Sequence, residues 1–104
     1  MEFKDRISDD DRREYQKRAV QMRQERAKVR RMLKTGQIKL GAIEPYRKAS
    51  KVIGGIRVFL LLTSLPGVGD RKAREWLTDN HVKESRKFGT MGKRQVKQLM
   101  KDFG

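Results

Sequence analysis

The sequence predicts an all-α fold in which a long basic N-terminal helix, residues 1–36, leads into a compact domain of short helices, residues 37–104. Three observations carry this. Apolar residues recur at spacings of three and four in the first third and again at the C-terminal end, which is helical period. The one apolar run that could form a strand, Val58-Phe59-Leu60-Leu61-Leu62, has no second strand candidate of comparable quality to pair with. Immediately after that run comes a turn leading into an evident helix. At 104 residues, 36% of them apolar, the chain has material for one core and not for two.

Taken in order, Ser8-Asp9-Asp10-Asp11 reads as a helix start, with Ser8 as N-cap, Asp11 in the capping-box position and carboxylates near the positive end of the helix dipole. Gly36 is the expected C′ stop. Between them Tyr15, Ala19, Met22, Arg26, Val29 and Leu33 form a thin, interrupted stripe, so the helix is expected to be long but weakly anchored. Gln37 to Ser50 holds a short second helix with Leu40, Ile43 and Tyr46 available for burial. Pro45 requires that helix to begin near Ala42 or to kink. Gly54-Gly55 breaks the chain again, and Val58 to Leu62 is read as a buried helix. The next helix runs from about Gly69 to Asn80 and buries Ala73, Trp76 and Leu77. His81 to Phe88 is an irregular basic connection. A last helix, from about Gly92 to Phe103, places Val96, Leu99, Met100 and Phe103 on one face and Lys93, Arg94, Lys97 and Lys101 on the other.

Charge narrows the function. Lys and Arg number 27 against 13 acids, a net +14, and such a charge repels itself unless a polyanion is near. Nucleic acid is the leading partner. From Lys17 to Lys34 there are eight basic residues and one acid, Glu25, so like charges meet on neighbouring helical turns without the Glu partners of an ordinary solvated face. An acidic membrane surface fits less well, because this helix lacks a large apolar face. With no Cys, disulfides, thiolate metal sites and Cys nucleophiles are excluded. The N-terminus carries acids rather than a basic region followed by an apolar run, and no stretch approaches the roughly 18 apolar residues of a membrane span. A cytoplasmic protein is expected.

The informative stretch is Leu65-Pro66-Gly67-Val68-Gly69-Asp70-Arg71-Lys72-Ala73. Pro66 ends one helix, and Gly67 and Gly69 permit a tight positive-φ turn and leave no side chain between backbone and ligand. Val68 can plug the turn into the core. The amides around Gly69 open the next helix, so free N–H groups and the positive dipole end can meet a phosphate oxygen, with Lys72 and Arg74 near enough to add charge. An apolar-Pro-Gly-Val-Gly run followed by Lys-Ala, between helices, has the helix-hairpin-helix pattern. Phe88-Gly89-Thr90-Met91-Gly92-Lys93-Arg94 is a second, looser version, in which Gly92 opens the final helix as Gly69 opens its own.

The order of a long basic helix, a short helix, Leu-Leu-Leu-Thr-Ser-Leu-Pro-Gly-Val-Gly, a helix, then Met-Gly-Lys-Arg-Gln and a last helix ending in Phe-Gly resembles the actinobacterial integration host factor family. The likeness covers nearly the whole chain and is most specific over residues 58–73 and 92–103. It implies a helix-two-turns-helix domain related to a small-subunit ribosomal protein. It implies a non-enzymatic, cofactor-free nucleoid-associated protein that binds, bends or compacts duplex DNA with little sequence preference and assists site-specific phage recombination beside an integrase. By the same likeness Pro66, Gly67, Val68, Gly69 and Lys72 contact backbone at one edge of the minor groove, where Arg74, from its place in the sequence, is expected to add charge. Arg86, Lys87, Gly92, Lys93 and Arg94 form a second contact surface. At Gly89 and Thr90 relatives tend to have a basic residue and then Gly, and Pro45 and Gly55 are also departures.

Other residues carry blander readings. His81, the only His, has no carboxylate at a recognisable spacing, so a surface or helix-end place is expected rather than catalysis. Asp9-Asp10-Asp11 lacks calcium-loop spacing, and no metal is expected there. Trp76 belongs to the core, and seven aromatics mostly committed to packing leave few for single-strand stacking. A ribosomal or other structured-RNA-binding protein of the same fold is the alternative function. A monomer is expected, because the N-terminal stripe is too interrupted for a coiled coil.

Overall fold

The computed structural model describes residues 9–104, and the expected N-cap, Ser8, lies outside them. Helix α1 spans Asp9–Lys34, about 39 Å at 1.5 Å per residue, within a molecule of 51 × 28 × 25 Å. It stops as expected. Gly36 takes φ +77° and its N–H reaches the Leu33 carbonyl at 3.2 Å. Residues 10–21 are exposed on every side, Tyr15 and Ala19 among them, whereas Leu33 is buried and Val29 packs against the core. Arginines share the anchoring of the inner half. Arg26 donates to the carbonyls of Val52 and Lys51, each at 3.4 Å, and Arg30 donates to the Ser64 hydroxyl at 3.4 Å.

The middle of the chain is more finely divided than its sequence suggested. Helix α2 is Leu40–Ile43, and it tightens at once into a 3₁₀ turn, Glu44–Tyr46, whose first turn accommodates Pro45. The helix thus begins at Leu40, before Ala42. Tyr46, expected in the core, is 58% exposed. Two successive steps of three residues drift about 60° each round a helix, while a three followed by a four holds the face. Arg47 therefore takes the buried place below Leu40 and Ile43. Helix α3, Lys51–Gly54, is a single turn absent from the expected elements, capped by the Ser50 hydroxyl, which accepts the Ile53 N–H at 3.1 Å.

The domain core follows the expected pattern. Helix α4, Val58–Thr63, buries Val58, Leu61 and Leu62; helix α5, Asp70–Asp79, buries Ala73, Trp76 and Leu77. Helix α6, Lys93–Phe103, buries Val96 and Leu99, with Met100 and Phe103 partly covered. His81 lies just beyond α5 with φ 57°, a helix-end residue as expected. The basic connection then runs beside the start of α4. Arg57 and Lys87 form an antiparallel bridge, flanked by Val58 N–H to the Arg86 carbonyl at 2.8 Å and Phe88 N–H to the Ile56 carbonyl at 2.9 Å. A 3₁₀ turn, Phe88–Thr90, sinks Phe88 completely into the core, a burial worth about 1.5–3 kcal/mol.

Helices α5 and α6 are antiparallel. At one end Gln95, in the first turn of α6, donates to the carbonyls of His81 at 3.3 Å and Asn80 at 3.5 Å, beyond the last turn of α5. Near the end of α6, the Trp76 indole donates to the Asp102 carboxylate at 2.8 Å, and its ring meets Phe103 edge to face at 6.1 Å.

Candidate nucleic-acid interface

The first glycine turn is built for close approach. Gly67 holds φ +77°, in the left-handed region that glycine adopts without strain and that L side chains rarely enter, and Val68 is plugged into the core behind it. Gly69 is the N-cap of α5 with φ −90°, which any residue can adopt; its contribution is space, not conformation. A Cβ built at either glycine meets nothing within 4 Å. No side chain caps α5, so the amides of its first turn, which have no intrahelical partner, are left for an acceptor from outside, next to the open space at Gly69. Lys72 lies along this edge, its ammonium 5.9 Å from the Phe103 ring centroid, in a shallow cleft with Pro66 and Val68.

Arg74 is placed differently. Its guanidinium is held by Glu84 at 2.8 Å and lies over the Phe59 ring at 5.0 Å, so its charge is matched within the chain.

The second glycine turn has another geometry. Neither Gly89 nor Gly92 has positive φ; the chain makes a 3₁₀ turn, goes extended at Met91 and enters α6 with Gly92 as N-cap, as expected. Two guanidiniums hold its carbonyls. Arg47, buried beneath, donates to the Phe88 and Met91 carbonyls at 3.4 Å each, and Arg86, outside, clasps the Thr90 carbonyl at 3.1 and 2.5 Å. Gln95 accepts the Gly92 N–H at 3.1 Å, one half of a capping box. Lys87, Lys93 and Arg94 are exposed round this turn. Gly89 sits on Gly54, and a Cβ there would stand 3.1 Å from the Gly54 Cα.

The candidate residues therefore fall into two groups, Pro66 to Lys72 and Arg86 to Arg94. The contacts of Gln95 with His81, of Trp76 with Asp102 and of Lys72 with Phe103 run the two helices in opposite senses, so the start of α5 lies toward the end of α6 and the start of α6 toward the end of α5. Sequence reasoning missed Arg47, although its spacing of four from Ile43 and seven from Leu40 places it on the buried face. It also missed Arg57, whose pairing with Lys87 spans thirty residues and leaves no local signal. Asp102 has its carboxyl held below the ordinary value of 3.8, by its hydrogen bond from Gln98 first, then by that from Trp76, with the Lys101 charge adding to both.

Among the described residues there is no group of three or more His, Cys, Asp or Glu that could hold a metal, and no helix long and apolar enough to cross a membrane.

Comparisons with known proteins agree on one family. A model of the S13-like H2TH domain matches residues 33–103. The integration host factor of Streptomyces coelicolor is 34% identical over 87 residues, covering 84% of this chain and 81% of that protein. The integration host factor of Mycobacterium tuberculosis is 32% identical over 98 residues, 94% of this chain and 93% of that one. A solved structure of sIHF bound to an 8 bp palindromic DNA superposes with a TM-score of 0.80 at 34% identity, covering 85% of this chain and 99% of the other. The helical order, the glycine-opened α5 and α6 and these likenesses converge: the chain belongs to the integration host factor family, on an S13-like H2TH domain.

Proposed function

We propose that this chain is an architectural protein of duplex DNA, without enzymatic activity or cofactor. It grips the sugar-phosphate backbone along the minor groove at two separate places and so bends or compacts the duplex with little sequence preference. The observation that carries this reading is the pair of glycine-opened helix starts at opposite ends of the α5–α6 pair, each beside exposed cations. A helix start presents oriented N–H groups and a positive dipole end to an anion, and glycine leaves room for a backbone to reach them. Pro66, Gly67, Val68, Gly69 and Lys72 form one contact, with Arg74 a lesser one because Glu84 already holds it. Arg86, Lys87, Gly92, Lys93 and Arg94 form the other.

Two grips toward opposite ends of the antiparallel α5 and α6 favour a curved duplex over a straight one, the extra contacts offsetting the deformation. The name shared by its relatives and the DNA held by its structural neighbour support the same reading. It works as a monomer in the bacterial nucleoid, and a shaped duplex is what a phage integrase complex requires of a helper. Competition between a labelled duplex and structured RNA at equal salt tests it. Duplex is expected to win, and a clear RNA preference would transfer the reading to the RNA-binding alternative.

A further inference from the structure

We propose a third backbone contact, a four-arginine groove between the inner half of α1 and the start of α4, which continues the second contact surface onto the N-terminal helix. The inference rests on the duplex-binding reading. The groove, about 460 Å³, is lined by Arg23, Arg26, Arg30 and Arg57 with Gly55 and Leu60, and no carboxylate lines it. Arg23, Arg26 and Arg30 succeed one another at steps of three and four, so they share one face of α1 over about 10 Å. That length matches about three phosphates along one strand of B-DNA, which come every 3.4 Å of axis.

The groove is held open by the fold. A Cβ at position 55 would stand 2.9 Å from the Arg26 Cζ and 2.7 Å from the Lys51 carbonyl, so glycine at 55 makes the seat for a guanidinium. Arg26 and Arg30 are fixed by their bonds to Val52, Lys51 and Ser64, all at 3.4 Å. These long bonds leave guanidinium N–H groups over for a ligand. Arg23 and Arg57 are exposed at the rim. Arg57 is also the link to the second turn: its antiparallel bridge to Lys87 puts both side chains on the same face of the ladder. A track of cations thus runs from Lys87 through Arg57 to Arg30, Arg26 and Arg23, without an intervening acid in the groove. A duplex held at the second turn and laid along this track contacts the α1 arginines through its phosphates.

The test is a salt series of equilibrium titrations on a duplex of about 30 bp, about 100 Å long and so longer than the 51 Å protein. The variant is Arg23→Gln with Arg57→Gln, which spares the two arginines that hold α1. It is expected to keep the wild-type circular dichroism and Tm, to lose about two units from the slope of log K against log salt at about 0.9 per phosphate, and to bind about tenfold or more weakly at 150 mM salt. Arg23→Lys with Arg57→Lys is expected to restore the slope. If the double variant is poorly folded, Arg23→Gln alone is expected to lose about one unit. Wild-type slope and affinity in a folded Gln variant would overturn the groove while leaving the two-turn reading intact. Salt-independent or absent duplex binding by the wild type would overturn that reading and the groove with it.

Discussion

Gly54 and Gly89 meet backbone to backbone: a Cβ on Gly89 would lie 3.1 Å from the Gly54 Cα and 2.7 Å from the Arg47 carbonyl, and a Cβ on Gly54 would overlap that same carbonyl. This contact joins α3 to the turn that leads into α6, so the second cluster of cations is positioned by a fit between segments 35 residues apart. Because the obstructing atoms are backbone, they cannot rotate aside. Gly54→Ala is expected to cost about 1–3 kcal/mol, the usual range for overpacking, read as a lower Tm by circular dichroism. A Tm equal to wild type would show that the turn is not seated on α3.

The guanidinium of Arg47 is the polar counterpart of that fit, since it satisfies the buried carbonyls of Phe88 and Met91. Arg47→Met keeps much of the volume and removes the donors. A loss of about 2–4 kcal/mol in urea unfolding is expected from two carbonyls left without a partner. A change under about 1 kcal/mol would mean that water replaces the guanidinium readily.

The two glycines of the first turn separate conformation from contact. Gly67→Ala forces a side chain into φ +77° and is expected to destabilise the fold by about 1–2 kcal/mol. Gly69→Ala meets no strain and open space in the free protein, so its Tm should match wild type. Its Cβ would nonetheless stand between the α5 amides and a phosphate. Duplex affinity is therefore expected to fall about tenfold in Gly69→Ala at unchanged Tm, a dissociation that an ordinary structural glycine would not give.

Acid should report the α5–α6 pairing. The Asp102 carboxyl is held below its ordinary 3.8 by Gln98, Trp76 and Lys101. Its contribution to stability is therefore complete above that value and is lost as pH falls through the lower folded value. Emission from Trp76, the only Trp, should stay flat from neutral pH to about pH 4 and change below it, and Asp102→Asn should abolish the transition. A transition of Trp76 between about pH 5 and 7 would contradict this assignment.

How far these features could be read in advance depended on range. The shape of Leu65 to Lys72 was legible because everything that builds it is local: a proline stop, one positive-φ glycine, a plug residue and an uncapped helix start. The helical reading of Val58 to Leu62 also held, since a lone strand has nowhere to place its backbone hydrogen bonds. The α3 turn was hidden because four residues carry no period. The contact of Gly54 with Gly89, the bridge of Arg57 to Lys87 and the capture of Arg74 by Glu84 are pairings across distance, and no local pattern encodes them. Even the two cation clusters were assigned without their relation, which the antiparallel α5 and α6 supply.

Two separate phosphate grips at the ends of that helix pair are tested most directly by the salt dependence of duplex binding with each grip reversed in turn. Wild type is expected to bind unrelated duplexes alike with a slope of about −4 or steeper, set by five or more cations at about 0.9 each. Lys72→Glu and Lys93→Glu should each flatten it by about one unit or more, additively, and lengthen the end-to-end distance of a doubly labelled duplex in the complex. Unchanged slope and unchanged distance in both variants would contradict the two-grip mechanism.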